Sequence, residues 1–192
     1  MIVAIDGLDG SGKSRVASAL AAACAADGVP ATLLHVDDFR RDLDFGGLDP
    51  AAEAALYYER YFDLAALDQE LAGRAGGESP LTIVEGVLTL RVPAVAAAAP
   101  LIVLTVSTGE ARRRILERDR AKGRSDEEIT RRIDHRYFPA RDRYRAECDP
   151  EARAAAVVDN EDWRAPRVVR LARGRFPGSI ERWLLRLAGG GS

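Results

Sequence analysis

The chain has 192 residues, 47% of them hydrophobic and 30% charged, which suits a soluble globular protein with a substantial core and excludes a disordered chain. A formal net charge of −2 supplies no overall basic field of the kind that draws a protein to nucleic acid, so no nucleic-acid partner is expected. No apolar run approaches the roughly 20 residues of a bilayer span, Cys24 and Cys148 lie far apart without C-x-x-C spacing, and residues 2–6 are too short for a secretory leader, so a reduced, cytoplasmic protein with no membrane partner is expected.

The first apolar run, Ile2-Val3-Ala4-Ile5, reads as a buried strand and leads directly into Gly7-Leu8-Asp9-Gly10-Ser11-Gly12-Lys13-Ser14, which fits G-x-x-x-x-G-K-[ST]. A tight turn from strand to helix aims successive backbone N–H groups inward, and glycines let that backbone approach a phosphate chain without a Cβ in the way. Lys13 is then placed for the outer phosphates and Ser14 for a Mg²⁺ ion. The helix beginning near Gly12, with Arg15 in its first turn, adds the partial positive charge of its N-terminus. Apolar residues at helical spacing continue it to Asp27-Gly28.

Residues 31–36 read as a second buried strand that runs into Asp37-Asp38-Phe39-Arg40-Arg41, at the edge where a parallel sheet gathers ligands. Asp49-Pro50, an N-cap followed by proline at the first helical position, predicts one helix from there to about Ala72, carrying the aromatic cluster Tyr57, Tyr58, Tyr61 and Phe62. Residues 73–80 read as a loop. Leu81 to Val84 is a third strand ending at Glu85-Gly86, where a carboxylate can organise Mg²⁺ or its water. Residues 91–100 predict a short Ala-rich helix between prolines, and residues 101–106 a fourth strand.

Two S-x-x-E strings, at Ser107 and at Ser125, predict capping boxes and two helices joined at Lys122-Gly123-Arg124. The second carries Pro139, which should kink or restart it. Residues 154–158 read as a fifth, short strand. The remainder, including Trp163 and an amphipathic helix over 180–187, reads as packing, and residues 189–192 as a flexible tail. Strands and helices alternate throughout, which predicts an α/β fold: a P-loop NTPase with three α/β/α layers, a five-stranded parallel sheet and a helical lid over about 109–147, in one domain spanning 1–188.

The pieces, taken in order, resemble the uridine kinase and phosphoribulokinase group of small-molecule kinases. They are the loop Gly7 to Ser14; Asp37-Asp38-Phe39, like the group's D-x-F; Tyr61-Phe62-Asp63-Leu64; Val84-Glu85-Gly86; and a lid-like stretch with Arg114, Arg118-Asp119 and Gly123-Arg124. Arg40 stands where uridine kinases commonly have Tyr, and Tyr57 to Asp63 replaces their D-H-P-x-x-F-D. The resemblance covers about residues 1–160 and implies ATP and Mg²⁺ as cofactors and transfer of a phosphoryl group to a hydroxyl of a small molecule, a nucleoside above all. Thymidylate kinases are the alternative, because Gly7-Leu8-Asp9-Gly10 also looks like their loop, although no Asp-Arg follows the third strand. A nucleotide-binding regulator without an acceptor is the non-enzymatic alternative.

On this reading Lys13, Asp37 and Arg118 are the candidate catalytic residues. The loop residues Gly7, Asp9, Gly10, Ser11, Gly12, Lys13, Ser14 and Arg15 hold the nucleotide together with Arg114, Arg118 and Arg124, whose guanidinium groups match phosphate with paired donors. Ser14 and Glu85 are the candidate metal ligands. Asp37, Phe39, Arg40, Tyr57, Tyr61, Asp63 and Glu85 face the acceptor, with Tyr57 and Tyr61, one turn apart, as an aromatic wall. Arg112 and Arg113 read as solvated partners of Glu110 and Glu117, His35 as a satisfied core residue, and His135 as lying on an exposed helix face.

Overall fold

Parallel strands buried on both faces form the centre of the computed structural model, which describes residues 1–74 and 81–189. Strands β1 (Ile2–Gly7), β2 (Ala31–His35), β3 (Leu81–Gly86), β4 (Leu101–Thr105) and β5 (Ala156–Asp159) run parallel in the order β2-β3-β1-β4-β5. A further strand, β6 (Arg167–Leu171), adds antiparallel to β5, so the sheet has six strands and not the five expected. It was concealed because its residues are mostly exposed and arginine-rich, without the apolar alternation that marks a half-buried strand.

The two-residue period of a strand sorts the core. Ala4, Val84, Leu101, Val103 and Val157 point to one face, and Val3, Ile5, Ile83, Ile102 and Val158 to the other. The first face is covered by α2 (Pro50–Arg60), α3 (Leu64–Arg74), α4 (Pro93–Ala98) and α7 (Phe138–Cys148), the second by α1 (Lys13–Ala26) and α9 (Gly178–Ala188). Helices α5 (Thr108–Arg120) and α6 (Asp126–Arg132) pack on their own small core of Ala111, Ile115, Ile129, Ile133 and Phe138. A short helix, α8 (Pro150–Arg153), leads into β5. None of the described helices is long and apolar enough to cross a membrane.

Several local predictions are met by identifiable contacts. The Asp49 carboxylate accepts from the Ala52 N–H at 2.8 Å, with Pro50 at the first helical position. Ser107 and Ser125 each accept from the N–H three residues on, at 3.2 Å. Their glutamates do not reach back, because Glu110 binds Arg113 and Arg114 while Glu128 binds Arg132. Pro139 restarts rather than kinks the chain: a π-helical turn (Ile133–Tyr137) precedes it, and the proline occupies the first turn of α7, where no N–H is needed. Glu53, fully buried on α2, is bound by Arg131 and Arg136 and fastens this turn to the sheet side of the molecule.

The single helix expected from Asp49 to Ala72 is broken. Between α2 and α3 the backbone of 39–41 pairs with 61–63, through Arg41 N–H to Tyr61 O at 2.8 Å and Asp63 N–H to Phe39 O at 2.7 Å. The Asp63 carboxylate then accepts from the Ala66 N–H at 3.0 Å and starts α3 as its cap. The loop expected over 73–80 lies mostly outside the described residues, as do residues 190–192 of the tail.

One glycine fixes how closely the site's two carboxylate-bearing segments approach. At Gly86 an added Cβ would lie 2.4 Å from the Val36 side chain, in the 3₁₀ turn (Val36–Phe39) that carries Asp37. Gly86→Ala is therefore expected to destabilise the protein by about 1–3 kcal/mol through overpacking. The cost of Gly86→Ala should shrink in a Val36→Gly background, which removes both the Cβ and the Cγ2 that stand at 2.4 Å, as read by a double-mutant cycle in urea unfolding; a backbone effect at residue 86 alone would leave it unchanged.

Candidate active site

Strand β1 ends in the loop Gly7 to Ser14, and the loop ends in α1. Gly12 sits at the N-cap with φ +89°, a left-handed conformation that a side chain disfavours, and its missing Cβ leaves room for Asn160, whose amide would be 2.6 Å away. The Asn160 amide donates to the Ser11 carbonyl at 2.6 Å. Lys13, almost buried, donates to the Leu8 carbonyl at 3.0 Å, and Ser11 Oγ is buried without a protein partner. An orphaned hydroxyl and inward-turned N–H groups at a helix N-terminus are suited to anionic oxygen, so the loop fits a triphosphate.

A cleft of about 270 Å³ opens over this loop, lined by Asp9, Gly10, Gly12, Lys13, Ser14, Asp37, Glu85, Gly86, Val87, Arg114 and Arg118. Elements distant in sequence thus converge at the carboxyl edge of the sheet, where a parallel α/β fold collects its ligands. Ser14 Oγ donates to Glu85 Oε1 at 2.9 Å, and His35 Nδ1 lies 2.5 Å from the same oxygen. Residues 35 and 85 are register partners on adjacent strands, which explains the contact. His35 is thus tied to the carboxylate at the cleft instead of packing in the core, a correction for which its position at the end of β2 was the available signal. Mg²⁺ takes oxygen ligands, one or two from the protein and the rest from water and phosphate, and Ser14 with Glu85 fits that donor set. Among the described residues no group of three or more His, Cys, Asp or Glu side chains is arranged to hold a metal.

The arginines divide by partner. Arg114 is largely buried and binds Glu110 at 2.6 Å, the Asn160 and Glu161 carbonyls at 2.9 and 2.8 Å, and the Gly10 carbonyl at 3.4 Å. It braces the loop from α5. Arg118 is half-exposed, is oriented by Asp119 at 2.7 Å and faces the cleft. Burial of Asp119 opposes its ionisation, yet Arg118, Arg124 and Lys122 hold its carboxyl below the usual range. Arg124, expected at the nucleotide, lies instead against Asp119 and Glu128, each at 3.6 Å, and does not line the cleft. Arg15 stacks on the Trp163 ring at 3.8 Å, with Arg164 also over that ring at 4.5 Å. Arg113 pairs with Glu110 and Glu117 as expected, whereas Arg112 pairs with Asp134.

The aromatic pair is a packed stack: Tyr57 is 3% exposed and lies on Tyr61 with centroids 4.9 Å apart, and of the two Tyr57 lines a cavity beside the cleft. Phe39 packs on the same core cluster. Asp63 pairs with Arg41 at 2.8 Å as well as capping α3, and Arg40 is turned onto the Asp37 carbonyl at 2.6 Å. His135 is likewise not on an open face: its Nδ1 is buried, 3.6 Å from Glu53.

Two residues escaped the sequence reading, Asn160 and Asp6. The Asp6 carboxylate accepts from the Gly7 N–H at 2.6 Å, the Thr89 N–H at 3.0 Å, the Thr89 hydroxyl at 2.5 Å and the Tyr144 hydroxyl at 2.6 Å. Burial pushes this carboxyl up against the pull of those donors. Asp9 is also held above the usual carboxylate range by burial, with Lys13 and Arg118 opposing.

No protein-family model matches the chain, and no curated protein sequence matches it. Solved structures do. One, named as a possible uridine kinase from Bacillus stearothermophilus, is 20% identical with a TM-score of 0.62, over 82% of this chain and 87% of that one. The similarity is one of fold, an α/β arrangement with a mostly parallel sheet flanked by helices. A second structure, named as a candidate fructose transport system kinase from Silicibacter, is 26% identical with a TM-score of 0.57, over 73% of this chain and 82% of that one. Both of these structures carry kinase names.

Acid behaviour tests the bracing of the loop. Bonds from Arg113 and Arg114 hold the Glu110 carboxyl down at about 2. A carboxylate with a depressed folded-state pKa stabilises above its unfolded value, near 4.5, and loses that contribution as pH falls towards 2. Glu110→Gln should accordingly lower the Tm by a constant amount above pH 5, with the gap to wild type narrowing between about pH 4.5 and 2. A gap independent of pH in differential scanning calorimetry would contradict this.

Proposed function

We propose that the chain is an ATP-dependent kinase that transfers the γ-phosphoryl group to a hydroxyl of a small metabolite, with a neutral nucleoside as the acceptor class. The observation that carries the proposal is the convergence on one cleft of a P-loop lysine, an exposed carboxylate at Asp37 and a guanidinium at Arg118. Phosphoryl transfer asks little bond chemistry of a protein. Its transition state is loose, so positioning and positive charge on the equatorial oxygens are most of the catalysis.

The acceptor hydroxyl oxygen attacks the γ-phosphorus. An O–P bond forms as the bond to the β–γ bridging oxygen breaks, ADP leaves with that electron pair, and the hydroxyl proton passes to Asp37. Asp37 is mostly exposed and returns the proton to water. Lys13 neutralises charge on the outer phosphates, the loop N–H groups fix the chain of phosphates, and Arg118, oriented by Asp119, adds charge from the side of α5. Ser14 and Glu85 would hold Mg²⁺, which would supply positive charge against the phosphates. Arg40 and Arg41 are engaged by the Asp37 carbonyl and by Asp63, which favours a neutral acceptor over a nucleoside monophosphate.

The test is product formation from [γ-³²P]ATP with a panel of hydroxyl metabolites led by nucleosides. With an accepted compound, Lys13→Ala should lower kcat by about 10²–10³-fold with an unchanged circular dichroism spectrum. Asp37→Asn should cost roughly a hundredfold in kcat while ADP affinity is kept, the usual scale for a general base. Near-normal turnover in a folded Lys13→Ala protein would reject the assignment, and label transfer to nucleoside monophosphates in preference to nucleosides would move it to the nucleotide-kinase reading.

A further inference from the structure

Residues 160–161 follow β5 and touch both the phosphate loop and α5. The Asn160 N–H donates to the Thr105 carbonyl at 2.9 Å, which prolongs the pairing of β5 with β4 by one residue. The carbonyls of Asn160 and Glu161 both accept from Arg114, at 2.9 and 2.8 Å. The Glu161 carboxylate accepts from the N–H and the hydroxyl of Ser107, each at 2.7 Å, at the start of α5. Asn160 is 3% exposed, so its side-chain amide is aimed by backbone that is fixed from two sides.

That amide donates to the Ser11 carbonyl at 2.6 Å and occupies the space that a Gly12 side chain would need. The Ser11 carbonyl and the Gly12 N–H belong to one trans peptide and point in opposite directions. Holding the carbonyl towards Asn160, which does not line the cleft, therefore turns the Gly12 N–H towards the cleft, which Gly12 does line. A peptide that precedes glycine is also one of the freest to flip, because glycine takes φ of either sign without a Cβ clash. Gly12 stands at φ +89°.

We propose that Asn160 is a positioning residue for phosphate binding, its amide locking the Ser11–Gly12 peptide against flipping so that the Gly12 N–H faces the cleft before any nucleotide arrives. It acts through the loop and not on the ligand. A flipped peptide removes one donor and sets a carbonyl oxygen against the phosphates, so the loss exceeds that of a single hydrogen bond. Donors fixed in advance need no reorganisation when anionic charge meets them. This inference rests on the phosphate-binding half of the phosphotransfer reading and is independent of the acceptor.

Calorimetric titration with inorganic tripolyphosphate, which carries no base, reads the loop alone. Asn160→Leu keeps the volume without the donor and adds no charge, and it should raise the Kd at least about tenfold. Asn160→Ala should do the same, which keeps the test decisive if the leucine variant fails to fold. Val158→Ala, a core truncation on β5, should lower the Tm and leave the Kd within about twofold. In amide NMR of the free protein, the Gly12 N–H should show relaxation dispersion in Asn160→Ala and none in wild type. Unchanged tripolyphosphate affinity in a folded Asn160 variant, a loss that Val158→Ala reproduces, or a Gly12 amide as rigid in Asn160→Ala as in wild type overturns the assignment. Wild type that passes label to no acceptor while these differences persist rejects the kinase reading and leaves Asn160 in its role, and wild type that binds no tripolyphosphate rejects both.

Discussion

A backbone that turns its N–H groups inward to cradle anions must turn its carbonyls outward, and each outward carbonyl needs a donor. Around the loop of this protein those donors come from separate parts of the chain. The Leu8 carbonyl takes the Ser11 N–H and the Lys13 ammonium, the Gly10 carbonyl takes Arg114 of α5, and the Ser11 carbonyl takes the Asn160 amide that follows β5. The nest is thereby a tertiary object. Its shape depends on the register of β4 and β5 with β1, since these strands carry α5 and Asn160 into place.

That dependence explains what could be read from the sequence. The loop, the parallel strands and the caps at Asp49, Ser107 and Ser125 are local patterns in which neighbouring residues satisfy one another, so a one-dimensional reading finds them. The break between α2 and α3, Asn160 at the loop and the clasp of His35 on Glu85 need partners 20 to 149 residues away, which no spacing rule reports. Strand β6 escaped for a different reason: an edge strand with mostly exposed side chains carries no burial pattern, and its arginines serve partners such as Asp159 and the Ala154 carbonyl.

The aromatic residues of α2 show how one helix face can serve core and site together. Tyr57 and Tyr61 do share a helix face, as their spacing requires. That face, however, meets Phe45, Phe62 and Tyr137, and burying it yields more than exposing it to a cleft would. The same aromatic layer then sets the floor of the neighbouring cavity through Tyr57 and Tyr137, so a core decision determines how much room the site has.

The arginines of α5 make the division between structure and chemistry explicit. Arg114 spends its donors on a carboxylate and three carbonyls, and little of its guanidinium is left for a ligand. Arg118, one turn on, has a single carboxylate partner, and that partner is itself shared with Arg124 and Lys122. Three cations around one buried carboxylate leave positive charge in excess, and Arg118 is the member of the group that faces the cleft. Asp119 therefore limits the rotamers of Arg118 without neutralising the cluster, which is the condition for a guanidinium that must meet phosphate without first giving up a strong partner. Glu53 of α2 binds Arg131 at the end of α6 and Arg136 in the π-helical turn that follows. The helix pair is thus fixed to the sheet side at one end and reaches the loop at the other, so its position couples the placement of Arg118 to the cavity beneath α7.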